Sequence, residues 1–278
     1  MPTEKEINKY YDQTYHQYRS VWKLDQHKGI HYGYWDDSTK NLSQAVEKMN
    51  RVLLDLSGFR KNSAILDMGC GVGGSSIFIA EQINAKVTGI NLNQKQIDIA
   101  KKLDQPNLNF ICGNYLNSGM DNEIFDGIWA LETICHCQDK LDFIKEAHRL
   151  LKPGGVLVLA EYFVKKHEFS NSKSIKKWLN YWAIPGLEVY SGFISKLEAN
   201  DFEIIKEKDA TKNIWKSSFY MFLASFPGML TTEFNQLFKD YGSYSHNHYK
   251  SAFWQFIALK KKLWEYKIIV ARKSDPAK

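Results

Sequence analysis

Residues 64–76 read Ala-Ile-Leu-Asp-Met-Gly-Cys-Gly-Val-Gly-Gly-Ser-Ser, or AILDMGCGVGGSS. A short apolar run contains the carboxylate of Asp67, and glycines follow at 69, 71, 73 and 74. A glycine-rich turn at the carboxyl end of a strand, opening a helix, marks a nucleotide site. Missing side chains let a ligand approach the backbone, and the helix N-terminus offers free N–H groups. Two templates fit. Gly69-x-Gly71-x-x-Gly74 matches the dinucleotide fingerprint, and Asp67-x-Gly69-x-Gly71-x-Gly73 matches an acid-first pattern. A carboxylate beside the turn repels a pyrophosphate but attracts an ammonium group. At the end of the next strand Asn91 stands where a dinucleotide site usually has an acid for the ribose.

Outward from this turn the pattern alternates. Residues 64–68, 86–91, 108–112, 126–131 and 154–163 read as short buried strands, and 74–83, 93–103 and 140–151 as helices. Such alternation implies βαβ units and a parallel sheet. The KPGG at 152–155 should stop a helix and turn into the next strand. Helices are expected at 5–22 and 41–59 ahead of the first strand. After 163, helices at 174–184 and 192–201 precede a strand at 202–210. The stretch 213–262 reads as helical and is too long for a simple connection, so it is expected to be an inserted cap before a last strand at 263–272. The whole chain, 1–278, reads as a single domain: N-terminal helices or lid (1–60), a ligand-binding core (61–163), and the remainder of the core with its cap (164–278).

The chain has 278 residues, 44% of them hydrophobic, enough for a full core. No run approaches the roughly 18 consecutive apolar residues of a membrane span, and the first residues, MPTEKEINKYYD, lack a signal-peptide pattern. A cytoplasmic location is expected. The net charge of +6 comes from lysines that are mostly scattered, so no nucleic-acid partner is expected. The four cysteines, Cys70, Cys112, Cys135 and Cys137, form no disulfide framework. Cys135-His136-Cys137 has no second Cys/His pair at zinc-like spacing, so no metal is expected. Aromatic residues crowd 10–35 and 178–266, which suggests an apolar ligand.

The segments ILDMGCGVGGSS, VTGINLNQKQIDIA, FDGIWALETICHCQDK and EAHRLLKPGGVLVLAEYF together resemble class I S-adenosylmethionine (SAM)-dependent small-molecule methyltransferases. Within them the nearest likeness is to the sterol C-methyltransferase and γ-tocopherol methyltransferase group, through LETICHCQDK followed by HRLLKPGG. HYGYW at 31–35 is similar to a motif of related bacterial natural-product methyltransferases. The resemblance covers about 30–163 well and 164–278 loosely. It implies a Rossmann-like α/β fold with a seven-stranded, mostly parallel sheet and an antiparallel last strand. It implies SAM as cofactor, with S-adenosylhomocysteine as product, and a small-molecule acceptor, the enzyme being a monomer or homodimer. SAM carries an ammonium and a sulfonium and no phosphate, which agrees with Asp67.

The resemblance also implies site residues. Asp67, Gly69, Gly71 and Gly73 would line the SAM amino acid and ribose. Asn91 would meet the ribose hydroxyls with Leu92 and Gln96 nearby, although many members have an acid at that position. Asn114 would face the adenine amino group in place of a frequent aspartate, with Tyr115 stacking beside it and Leu131 adjoining the cofactor. Tyr18, Trp22, Tyr32, Tyr34 and Trp35 would close over cofactor and acceptor. Trp178, Tyr181, Trp182, Phe219, Tyr220, Phe222 and Phe253 would line the pocket from the cap, ordinary helix packing being the plain alternative for each.

Three residues are candidates for catalysis. His136 follows the fourth strand at the ligand edge, and its ordinary pKa suits proton transfer; a turn-fixing histidine is the alternative. Glu132 leaves the same strand end and is expected to orient His136 or touch SAM. Glu161 sits in an apolar run, where a carboxylate needs a partner or a task.

Overall fold

The computed structural model describes residues 2–103, 105–236 and 242–275, apart from the side chains of 235 and 236. The chain opens with α1 (Glu4–Val21), α2 (Leu24–His27) and α3 (Leu42–Ser57). A capping box starts α1: Thr3 accepts from Glu6 N, and the Glu6 carboxylate accepts from Thr3 N. Such a cap stabilises a helix by about 1 kcal/mol. The alternating core follows: β1 (Ala64–Met68), α4 (Gly74–Ile83), β2 (Lys86–Asn91), α5 (Gln94–Ala100), β3 (Leu108–Cys112), β4 (Phe125–Leu131), α6 (Lys140–Leu150) and β5 (Leu151–Val164). Then come α7 (Lys173–Tyr181), α8 (Tyr190–Glu198), β6 (Phe202–Asp209), α9 (Trp215–Gln236), α10 (Ser243–Lys260) and β7 (Trp264–Lys273).

The seven strands form one sheet in the order β3-β2-β1-β4-β5-β7-β6. β1 pairs in parallel with β2 and β4, and only β7 runs antiparallel to its neighbours. This is the Rossmann-like, seven-stranded, mostly parallel sheet with an antiparallel last strand expected from the sequence. Both faces are covered. One carries Ile65, Trp129, Val158 and Trp264 beneath α3, α4, α7 and α10, with Trp178 packing onto it from α7; the other carries Leu66, Ile128 and Leu157 beneath α6 and α8, with Phe143 of α6 and Phe193 of α8 packing onto it. The chain order reverses between β1 and β4, so a crevice opens there at the strands' carboxyl ends.

The KPGG segment departs from its expected role. Helix α6 gives way directly to β5, and residues 152–155 fall within the strand as a bulge: the register with β4 shifts between Phe125 and Gly127. The stretch 213–262 resolves into α9 and α10, which pack against each other, while α10 also contacts α1 and α7. Residues 237–241 of that expected cap lie outside the described residues. Among the described residues, no helix is long and apolar enough to cross a membrane.

Candidate functional site

The turn after β1 is held open by two glycines with different tasks. Gly69 has φ +81, and a Cβ there would stand 2.6 Å from Thr133 Cβ, so the turn after β4 closes directly over it. Gly71 has φ +54, yet a Cβ there would meet nothing within 4 Å; it borders open space. Gly69→Ala should therefore act on stability, through overpacking of about 1–3 kcal/mol and left-handed strain. Its melting temperature should fall clearly below that of the wild type; an unchanged value would contradict the packing just described.

That open space belongs to a cavity at the switch point. Asp67, Gly69, Gly71, Asn91, Leu92 and Gln96 line one side of it. Asp67 is 2% exposed; burial pushes its carboxyl up to about 7, although the Ser76 hydroxyl donates to Oδ2 at 2.6 Å. Asn91 Nδ2 donates to Gln96 Oε1 at 2.7 Å, which leaves the Asn91 carbonyl oxygen for another donor. Tyr18, Tyr32, Tyr115, Leu131, Glu132 and His136 also border the cavity.

Helix α1 roofs this space through polar joints at several points. Glu4 accepts from Asn114 Nδ2, Asp12 accepts from Asn93 Nδ2 and pairs with Lys95, and Gln13 Oε1 accepts from Tyr244 N. Tyr11 meets His136 Nε2 at 2.9 Å. His136 Nδ1 lies 3.1 Å from the Ala183 carbonyl, so that nitrogen carries the hydrogen and Nε2 accepts from Tyr11. Burial lowers the His136 pKa to about 4, so the ring is neutral at pH 7.

Of the two tasks expected of Glu132, orienting His136 is not met, although the residue borders the cavity. Oε1 accepts from Tyr32 N at 2.8 Å and Tyr266 Oη at 2.7 Å, and Oε2 accepts from Tyr162 Oη at 3.1 Å. Its backbone sits at φ +51, a conformation that costs energy in a non-glycine residue and clusters at functional sites. Burial, opposed by these donors, raises its carboxyl to about 8.

Glu161, Gly73, Asn114, Trp35 and Tyr34, all expected at the site, do not border the cavity. Glu161 is buried against the backbone, accepting from Cys135 N at 2.8 Å and from Tyr162 N; it anchors the turn that carries His136. Gly73 caps α4 and is packed by Phe110 and Leu103. Asn114 is occupied by Leu116 N and Glu4. Trp35 turns away, donating to Ser217 Oγ at 2.9 Å. Of the cap aromatics, Trp182 borders the cavity, whereas Trp178 is core and Phe219, Phe222 and Phe253 pack between α9 and α10. Tyr10, Tyr11, His31, Thr133 and Tyr162 border it without having been singled out. The aromatic crowding at 10–35 is the signal that pointed towards the first of these.

Residues 66–159 match the family model described as a methyltransferase domain. The chain is 33% identical over 184 residues to 24-methylenesterol C-methyltransferase 3 of Arabidopsis thaliana, covering 63% of this chain and 50% of that protein. It is 32% identical over 168 residues to 27-O-demethylrifamycin SV methyltransferase of Amycolatopsis mediterranei, covering 59% of this chain and 60% of that protein. It thus spans about half to three-fifths of the length of these curated relatives. Geranyl diphosphate C-methyltransferase from Streptomyces coelicolor A3(2), solved with S-adenosyl-L-homocysteine, superposes with a TM-score of 0.75 at 17% identity, covering 98% of each chain. The strand order, the glycine turn and these likenesses agree: residues 66–159 match a methyltransferase domain, set within a fold shared with that solved structure.

Proposed function

We propose that this chain moves a methyl group from SAM to a largely apolar small molecule. The supporting observation is that a polar, glycine-lined wall and an aromatic wall share one cavity. Asp67, Asn91 and Gln96 stand on the first; Tyr11, Tyr18, Tyr32, Tyr162 and Trp182 stand on the second. The polar wall fits SAM. Asp67 offers an acceptor to an ammonium, Asn91 offers one to a ribose hydroxyl, and bare Gly71 leaves room for the ligand. When bound, SAM supplies a methyl group already activated on its sulfonium, so holding the acceptor in line can supply much of the acceleration.

The acceptor's class is read from the second wall. Aromatic faces bind apolar groups and tolerate positive charge on them, and the Glu132 carboxyl borders the same space. A terpenoid, sterol-like or quinol acceptor suits this lining. One relative is named for C-methylation of a sterol and another for methylation of an oxygen.

The Tyr11–His136 pair favours a second reading, methylation of a hydroxyl. A proton leaving the acceptor oxygen passes to Tyr11 Oη as the Tyr11 proton passes to His136 Nε2. Under that reading Tyr11→Phe and His136→Ala should each slow transfer about 10²–10⁴-fold, and the double variant should be no slower than either. Additive losses would contradict the relay. With a carbon acceptor that sheds its proton freely, Tyr11→Phe should change the rate little.

Titration calorimetry separates this reading from a nicotinamide oxidoreductase. S-adenosylhomocysteine should bind and NAD should not; the reverse result would overturn the assignment. Binding without methyl transfer to any extract would favour a SAM-binding module that does no chemistry.

A further inference from the structure

One sector of the cavity contains polar atoms that the protein itself leaves unpaired. Among the described residues, Trp22 Nε1 and His31 Nε2 are buried there without a hydrogen-bond partner, as are both ring nitrogens of the adjoining His27, which does not itself border the cavity. Trp22 is 3% exposed and His31 6%, and both border the cavity. An unpaired buried polar group costs about 1–3 kcal/mol, so such a cluster calls for a ligand or ordered water.

This sector lies beside the glycine turn. A Cβ on Gly74 would stand 2.6 Å from the Lys28 carbonyl carbon and 3.0 Å from His27 O, so residues 27–28 press on the first residue of α4. No side chain caps that helix, and Ser75 in its first turn borders the cavity. The N-terminus of α4 therefore presents N–H groups and a partial positive charge to the same sector. Lys28 adds a cation on this wall.

The orphaned atoms have distinct chemistry. His31 Nδ1 is 3.0 Å from the Tyr32 carbonyl, so it carries the hydrogen, and Nε2 of the neutral ring presents a lone pair. Trp22 Nε1–H can only donate. A matching ligand must offer a donor to one and an acceptor to the other. A hydrocarbon offers neither, whereas an amino-acid zwitterion offers both.

We propose that the segment from Trp22 to His31 seats the amino-acid end of the cofactor. His31 Nε2 accepts an N–H of its ammonium group, for which Asp67 is a second acceptor. Trp22 Nε1–H, Lys28 and the N-terminus of α4 face its carboxylate. This rests on the SAM reading above and adds a second wall to the glycine turn.

The test compares S-adenosylhomocysteine with 5′-methylthioadenosine, which keeps the adenosine and sulfur but lacks the amino-acid chain. Calorimetry is run on the wild type, Trp22→Phe and His31→Phe, with melting curves to confirm folding. Each variant should bind S-adenosylhomocysteine at least about 10-fold more weakly, as expected for a lost hydrogen bond to a charged group. Affinity for 5′-methylthioadenosine should stay within about twofold. Trp22→Phe retains a packed aromatic ring, so it keeps the test decisive if His31→Phe folds poorly. Equal losses for both ligands would overturn the proposal, because the segment would then only shape the cavity. Unchanged affinity for S-adenosylhomocysteine would also overturn it, leaving the orphaned atoms to water or to the acceptor. A wild type that binds neither ligand would overturn the cofactor reading itself, and this inference with it.

Discussion

Gly71→Leu should abolish cofactor binding while leaving the protein folded. A Cβ at this position meets no protein atom within 4 Å, so a side chain there enters open space instead of clashing with its neighbours. The left-handed backbone at φ +54 adds strain of about 1–2 kcal/mol for any residue with a Cβ. A loss of that size should lower the melting temperature by only a few degrees. A leucine filling the space beside the turn should weaken S-adenosylhomocysteine at least about 100-fold, or about 3 kcal/mol. Gly69→Ala is the internal contrast, because its Cβ runs into Thr133. Binding and stability should therefore separate between two glycines two residues apart. A Gly71→Leu variant with undiminished affinity would place the cofactor elsewhere.

Glu132 is expected to carry the second large effect. Its carboxyl ties the N-terminal segment, β5 and β7 together through Tyr32, Tyr162 and Tyr266. Glu132→Leu leaves two phenols and a backbone N–H without their acceptor, each at a cost of about 1–3 kcal/mol. That variant should melt far below the wild type. Glu132→Gln keeps the shape and one carbonyl oxygen, and should remain folded.

The pH dependence tests the environment of Glu132 separately. Its folded pKa, about 8, lies above its ordinary 4.5, so the folded state holds the proton more tightly. The stabilisation from this group is fully present below 4.5 and is lost as pH rises towards 8. Glutamine does not titrate. Relative to the wild type, Glu132→Gln should gain stability as pH rises from 5 to 8, read as a converging or crossing pair of melting temperatures. A pH-independent difference would mean that the carboxyl is already ionised at pH 5.

The features legible in the sequence are those set by local rules. Short buried strands alternating with helices gave the sheet, and the acid-and-glycine turn after 64–68 located the cavity edge. At KPGG the helix stops as expected, but proline and glycine mark both a turn and a bulge, and only pairing with β4 separates them. The roles of Glu132, Glu161 and Trp35 were not legible. The partners of Glu132 lie 100, 30 and 134 residues away along the chain, and that of Trp35 lies 182 away. Tyr11 was hidden for the same reason: its partner, His136, stands 125 residues on, across the roof of the cavity. Composition marked residues 10–35 as aromatic, but only the fold distinguishes Tyr11 and Tyr18 on the cavity from Trp35 facing away from it.

The most direct test of the central claim is transfer of a labelled methyl group. The protein is incubated with methyl-labelled SAM and fractions of lipid and metabolite extracts, and the label is counted in the organic phase. The wild type should move label into an organic-soluble product that co-purifies with one fraction, and Gly71→Leu should leave that phase at background. Label that never leaves the aqueous phase with any fraction, from wild-type protein that binds S-adenosylhomocysteine, would contradict methyl transfer to an apolar small molecule.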